Sequence, residues 1–103
     1  MIENTKELIV STINLYEVYR KILLERNEDA ALQAIGLMQQ AKVAGVTSSI
    51  AIMAAKFSYE LKLPMAGSLI YSTARMYDAV VWTQDVDFKD LKKVKYFKKD
   101  YLN

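Results

Sequence analysis

The first quarter of the chain combines a short apolar run with a longer segment of helical periodicity. Residues 8–10 are apolar, and after Thr12 apolar side chains recur every three or four positions as far as Ile22. A short continuous run predicts a strand, and recurrence at that spacing predicts an amphipathic helix. We therefore expect a strand followed directly by a helix that ends near Arg26.

Three more helices are predicted in the middle of the chain. Asn27 is a favourable N-cap for the second helix, and Gly45 is expected to end it. Ser48 is expected to cap the third helix, and Pro64 separates it from a fourth at residues 65–77. The residues predicted to face the core are Leu32, Ile35 and Met38, then Ile50, Met53, Ala54, Phe57 and Leu61, and finally Leu69, Ile70, Thr73, Ala74 and Tyr77.

Two further strands are predicted towards the C-terminus. Residues 79–83 form a continuous β-branched and aromatic run that is typical of a strand covered on both faces. Residues 94–97 are predicted to form an edge strand, whose lysine discourages pairing with another sheet. Strands separated by helices indicate an α/β fold with a mostly parallel sheet, in which ligands bind beyond the carboxyl ends of the strands. The candidate site is therefore expected around residues 11–17 and 83–87.

Composition limits the chemistry that the chain can perform. The 103 residues, 52% of them hydrophobic, fit a single domain over residues 1–103. The chain has no cysteine and no histidine, which excludes thiol nucleophiles, disulfides, imidazole bases and the usual zinc sites. The longest uncharged stretch, residues 43–55, is too short to cross a bilayer, and the N-terminus does not resemble a signal peptide. A cytoplasmic protein is expected.

Lysines are concentrated in the C-terminal segment. Residues 88–103 contain six lysines and two aspartates, whereas the net charge of the whole chain is only +2. Two interpretations stay open: the lysines neutralise the phosphates of a nucleic acid, or they keep a solvated edge soluble. The lysines are Lys89, Lys92, Lys93, Lys95, Lys98 and Lys99.

Acidic residues are predicted at the carboxyl ends of two strands. Thr83, Asp85 and Asp87 lie at the end of the second-last predicted strand, and Glu17 follows the first strand by a few residues. Carboxylates that converge repel one another, and a bound Mg²⁺ or Mn²⁺ ion relieves the repulsion. The alternative is that Glu17 forms a surface ion pair with Lys21 and that the two aspartates cap a short helix.

Segments throughout the chain resemble parts of a known family. Residues 63–74 read Leu-Pro-Met-Ala-Gly-Ser-Leu-Ile-Tyr-Ser-Thr-Ala, residues 83–88 read Thr-Gln-Asp-Val-Asp-Phe, and residues 94–97 read Val-Lys-Tyr-Phe. They closely resemble the end of a PIN domain of the VapC toxin type, in which a strand ends in Thr-x-Asp-x-Asp-Phe. Residues 9–19 resemble the family's second strand and the glutamate-bearing helix after it.

The resemblance implies a fold and an activity. The fold would be a three-layer PIN-like α/β fold with a short sheet flanked by helices. The activity would be that of a Mg²⁺- or Mn²⁺-dependent ribonuclease toxin, with RNA as substrate and a cognate antitoxin as partner. Glu17, Asp85 and Asp87 are then the candidate metal-site acids, and Thr83 is a supporting hydroxyl in the catalytic site.

Two departures from the family pattern predict weakened activity. The family's first strand, which carries an aspartate and lies in the middle of the sheet, is expected to be absent here. Gly67 stands where the family has another aspartate. Fewer carboxylates predict weak or absent metal binding. Gly67 can be interpreted as a neutral replacement, a natural loss of function or a deliberate change. The alternative function is that of a non-catalytic PIN remnant that serves as a dimerisation or antitoxin-binding module.

The missing strand also predicts self-association. Its two neighbours would face a gap, pair directly, or borrow a strand from another chain, and each arrangement favours a homo-oligomer. The first two helices are expected to form a hairpin whose outward residues supply a contact surface, or instead cover the protein's own core. These residues include Tyr16, Leu24 and Leu37.

Overall fold

The described part of the chain contains five short strands and four helices. The computed structural model describes residues 2–3, 8–83 and 88–96. In chain order the elements are β1 (Ile2–Glu3), β2 (Leu8–Ser11), α1 (Thr12–Glu25), α2 (Glu28–Met38), β3 (Lys42–Ala44), α3 (Ser48–Leu61), α4 (Met65–Met76), β4 (Val80–Thr83) and β5 (Val94–Tyr96). The predicted α/β fold is confirmed, and no helix in these described ranges is long and apolar enough to span a membrane.

The sheet consists of two parallel pairs with β1 between them. The strand order is β3-β2-β1-β4-β5. β2 runs parallel to β3, β4 runs parallel to β5, and β1 is antiparallel to both β2 and β4. None of the three arrangements expected around a missing central strand is observed, because Ile2–Glu3 of the same chain occupies the middle of the sheet. β5 lies at an edge, as predicted.

Side-chain caps fix where the helices begin. The Ser11 hydroxyl accepts a hydrogen bond from the Ile13 amide at 3.1 Å, and the Asn14 side chain accepts one from the Ser11 amide at 3.0 Å. This capping box turns β2 directly into α1. The predicted Asn27 cap of α2 is confirmed. The α3 cap is Thr47 rather than Ser48.

The segment between α2 and α3 differs from the prediction. α2 ends at Met38, well before Gly45, and Lys42–Ala44 forms the edge strand β3 beside β2. A strand of three residues is too short for its periodicity to stand out from the helical pattern before it, and pairing with β2 decides its conformation. The inward face of α2 also differs, because its buried residue is Ala31 and the side chain of Leu32 is 54% exposed.

The core lies between the sheet and α4. Ile2, Ile9 and Val81, from three adjacent strands, are each at most 1% exposed. α4 is the most buried helix of the described chain, and small side chains such as Ala74 allow it to approach its neighbours closely. Pro64 is its N-cap. The buried core cluster comprises Ile2, Ile9, Ala44, Leu63, Ile70, Tyr71, Ala74, Ala79, Val81 and Phe88.

Candidate functional site

The carboxyl ends of β2 and β4 lie at the same edge of the sheet. Both strands are antiparallel to β1, so they run in the same direction. β2 ends at Ser11 and β4 ends at Thr83. With one strand between them, the two backbones are separated by about 10 Å, twice the spacing of neighbouring strands. This edge is where the sequence predicts the acidic site.

Glu17 lies on the exposed face of α1, in the helix that begins at this edge. Its side chain is exposed and borders a surface depression of about 500 Å³. The depression is also lined by Tyr16, Arg20, Lys21 and Leu24. Glu17 therefore belongs to a surface that mixes one carboxylate, two cations and apolar side chains.

The other three predicted site residues lie at the end of the described segment or outside it. Thr83 is the last residue of β4, and the structure describes its backbone. Asp85 and Asp87 lie outside the described residues, so their convergence with Glu17 stays a prediction. Within residues 2–3, 8–83 and 88–96, no three acidic, histidine or cysteine side chains group closely enough to hold a metal ion. The described residues alone do not make up the expected metal site.

The head of α4 is closed by an aromatic ring. A Cβ atom built on Gly67 would lie 3.0 Å from Cε1 and 3.1 Å from Cζ of Phe88. Contacts this short require the ring to move, and Phe88 is only 3% exposed. A side chain at position 67 would therefore need the ring to shift by a few tenths of an ångström. In this structure, Gly67 is a packing partner of Phe88 and offers no ligand to a cation.

Tyr71 holds Phe88 and the segment before β5 against α4. The rings of Tyr71 and Phe88 meet edge to face, with centroids 6.1 Å apart, and Phe57 of α3 packs edge to face against Tyr71 at 5.0 Å. The Tyr71 hydroxyl donates a hydrogen bond to the Lys92 carbonyl oxygen at 3.0 Å and accepts one from Arg75 at 3.3 Å. This cluster fixes the position of Phe88, which follows Asp87 directly in the sequence.

Comparison with known proteins identifies the family. The family model for the PIN domain matches residues 1–94. The chain belongs to the PIN domain family. Its fold is similar to a chain in a toxin–antitoxin complex from Klebsiella pneumoniae, with a TM-score of 0.75 and 19% sequence identity. The match covers 88% of this chain and 75% of that chain. No curated protein matches the sequence.

The described part of the basic segment of this PIN domain, residues 88–96, contains β5, which pairs with β4. Lys89, Lys92 and Lys95 are exposed. Lys93 forms an ion pair with Asp78, and its hydrogen bond and positive charge hold the pKa of the Asp78 carboxyl below its ordinary value. The remaining lysines of the predicted basic segment, Lys98 and Lys99, lie outside the described residues. One positive charge of the segment is thus neutralised within the fold.

Phe88 and Tyr71 form a packing contact in this PIN domain that the sequence alone did not single out. Both occur in the segments that carry the family resemblance, but there they appear as apolar pattern residues without a role. The sequence places a glycine at position 67 and a phenylalanine 21 residues later. That pairing indicates a contact only after the structure shows that the two residues lie next to each other. The structure shows them as the packing that closes the head of α4.

Proposed function

We propose that this PIN domain is a VapC-like toxin of the divalent-metal-dependent ribonuclease type, with weakened or lost activity, that acts in the cytoplasm. The family match and the structural similarity to a chain of a toxin–antitoxin complex support the toxin type. The common edge at which β2 and β4 end carries the proposal, since it brings the start of the Glu17 helix and the start of the acidic segment to one side of the sheet.

Glu17, Asp85 and Asp87 are the proposed metal-binding residues, with the Thr83 hydroxyl beside them. A Mg²⁺ or Mn²⁺ ion would supply positive charge against an RNA phosphate. The exposed lysines near β5 would add attraction for the RNA backbone that weakens with salt. The glycine at position 67 accounts for weakened activity, because a site with fewer carboxylates holds a divalent ion less tightly.

Metal binding gives a direct test of the proposed acids. We expect Asp85→Asn to lower the Mn²⁺ affinity measured by calorimetry by roughly tenfold or more, because even groups that only support a metal ligand have effects of this size. Asp90→Asn is the matched control, since Asp90 is an exposed aspartate in the same segment that is not part of the proposed set. Equal Mn²⁺ affinities of the two variants would contradict the assignment.

Position 67 tests the explanation for weakened activity. Gly67→Asp adds a carboxylate, and Phe88→Leu removes the two ring atoms that oppose it. We expect the double variant to bind Mn²⁺ more tightly than either single variant and to cleave single-stranded RNA faster than the wild type. If the double variant gains neither affinity nor cleavage, position 67 has no part in the ion site.

A non-catalytic binding module is the second candidate, favoured by the outer surface of the helical hairpin. Tyr16, Leu24 and Leu37 are 66%, 70% and 69% exposed, so the expectation that they cover the protein's own core is wrong. As a module, the protein would bind an antitoxin or a second copy through this surface without metal. Leu24→Ser should then abolish antitoxin binding or dimer formation, whereas Ile52→Ser, at an equally exposed position on α3, should not.

A further inference from the structure

One buried hydroxyl group joins two basic residues beside α4. The Tyr71 hydroxyl accepts a hydrogen bond from the Arg75 guanidinium at 3.3 Å and donates one to the Lys92 carbonyl oxygen at 3.0 Å. Tyr71 is only 2% exposed, so the core fixes its ring, whereas Arg75 and Lys92 are exposed. The guanidinium of Arg75 and the backbone of Lys92 are therefore held by the same fixed atom.

The contact with Tyr71 orders the Arg75 side chain and occupies only part of it. A guanidinium carries five N–H groups in a planar fork, and the bond to the Tyr71 hydroxyl uses one of them. The central guanidinium carbon lies 5.9 Å from the centre of the Tyr71 ring, which favours the same orientation. An ordered guanidinium on an exposed surface suits a phosphate group, because its fork matches the phosphate oxygens.

The surroundings of Arg75 and Lys92 are predominantly basic. Residues 88–95 contribute four lysines and one aspartate. The hydrogen bond and charge of Lys93, and to a smaller extent the charge of Arg75, lower the pKa of the Asp78 carboxyl. Arg75 therefore lies within electrostatic range of the carboxylate that pairs with Lys93. This pair neutralises one cation, and the remaining ones give the surface an excess of positive charge.

The segment that carries these lysines runs along α4 from its head to its end. Phe88 lies beside Gly67 in the first turn of the helix, and Lys93 pairs with Asp78 just beyond the last turn. β4 begins four residues after α4 ends, and Phe88 follows β4 by five residues, so β4 runs back along α4 and ends near its head. Arg75 lies about 12 Å along the helix axis from Gly67, which a stacked nucleic-acid strand covers in about three or four nucleotides.

We infer that Arg75 and Lys92 bind backbone phosphates of a single-stranded RNA, and that Tyr71 is a positioning residue that holds the two together. The inference rests on the proposed RNA substrate, because it names side chains that bind this substrate away from the acidic residues. A guanidinium and an ammonium group attract phosphates without a metal ion. Asp78 limits the surface by pairing with Lys93, which keeps Lys93 from the RNA.

RNA binding in the absence of divalent metal tests the two cations. A fluorescein-labelled single-stranded RNA is titrated with the protein in EDTA at about 50–200 mM KCl, and fluorescence anisotropy gives the affinity at each salt concentration. Arg75→Gln and Lys92→Gln should each reduce the slope of log affinity against log salt by about 0.7, the value for one phosphate contact of a single strand.

Lys56→Gln is the matched control, because it removes one exposed positive charge on α3, outside this surface. Its slope should equal that of the wild type. If Arg75→Gln and Lys92→Gln change the slope no more than Lys56→Gln does, the inference is overturned. Absence of RNA binding by the wild type at about 50 mM KCl would overturn it as well.

Two further variants separate RNA binding from damage to the fold. Asp78→Asn releases Lys93, so RNA should bind more tightly and the slope should increase by up to about 0.7, a gain that misfolding does not produce. Tyr71→Phe should weaken binding about threefold in the wild type, but not in a chain that also carries Arg75→Gln and Lys92→Gln. An equal loss in both backgrounds would exclude the positioning role.

The binding measurements are independent of the acidic site, because they contain no divalent metal. If RNA is bound with the expected slopes but is not cleaved in Mn²⁺, the ribonuclease function is contradicted and this inference stands. If RNA is cleaved in Mn²⁺ while Arg75→Gln and Lys92→Gln keep the wild-type slope, the ribonuclease function stands and this inference is overturned.

Discussion

The contact between Gly67 and Phe88 makes a prediction about protein stability that runs against ordinary helix propensity. Alanine is usually better than glycine in a helix by about 1 kcal/mol. In the described part of the chain, no atom beyond the neighbouring residues and the backbone of α2 lies within 4 Å of the position that a Cβ on Gly36 would take. Gly36→Ala should therefore increase the free energy of unfolding by roughly 0.5–1 kcal/mol.

Gly67→Ala should have the opposite effect. The new methyl group would lie 3.0 Å from a ring atom of Phe88, and that ring is buried against Tyr71. Overpacking of a core typically destabilises by about 1–3 kcal/mol, which exceeds the propensity gain in the first turn of α4. We expect a net loss of about 1 kcal/mol, so that the two glycine substitutions differ by about 2 kcal/mol.

Urea denaturation followed by circular dichroism measures this difference, and thermal unfolding should show a separation of roughly 10 °C in Tm. Phe88→Leu provides the control for mechanism, because it removes the ring edge that the methyl group meets. In that background Gly67→Ala should no longer destabilise, which gives a coupling of about 1–2 kcal/mol in a double-mutant cycle. If Gly67→Ala stabilises the protein as much as Gly36→Ala does, the Phe88 ring moves away from the new methyl group at no cost, and the contact does not limit position 67.

Three further substitutions test other contacts. Tyr71→Phe removes the hydrogen bond to the Lys92 carbonyl and should lower the free energy of unfolding by about 1 kcal/mol in urea denaturation. Ser72→Ala should leave stability unchanged or raise it by up to about 1 kcal/mol, because the buried Ser72 hydroxyl has no hydrogen-bond partner among the described residues. Asp78→Asn removes the ion pair with Lys93. Because this pair lowers the pKa of Asp78 in the folded state, it stabilises the fold at neutral pH, and this stabilisation is lost as the pH falls through the folded-state pKa. Wild type and Asp78→Asn should therefore converge in acid, as followed by thermal unfolding across pH.

The long elements were predictable from the sequence because each one repeats its signal several times. α1, α3 and α4 show helical spacing over three turns or more, and β4 is a continuous apolar run with no helical alternative. β1 and β3 escaped prediction because two or three residues carry no periodicity, and their strand conformation depends on partners distant in sequence.

The candidate site, like the fold, could be predicted from the sequence only in part. Its place at the carboxyl ends of β2 and β4 could be predicted, because parallel strands separated by helices end at the same edge of a sheet. The antiparallel strand β1 between them could not, since a mostly parallel sheet was expected. The contact between Gly67 and Phe88 could not be predicted, because a sequence records a missing carboxylate but not which ring lies beside that position. The sequence tells which functional group a position carries. Which residues lie next to that group depends on how α4 packs against the segment after β4.

The arrangement of the sheet links the candidate site to β1. Glu17 is carried by the helix that follows β2, and the acidic segment follows β4, so the two parts of the proposed site lie on opposite sides of the two-residue strand. β1 pairs with the first two residues of β2 and of β4, so it sets the distance between these two strands. Loss of the β1 pairing would therefore change the distance between the two parts of the proposed site while leaving both parallel pairs intact.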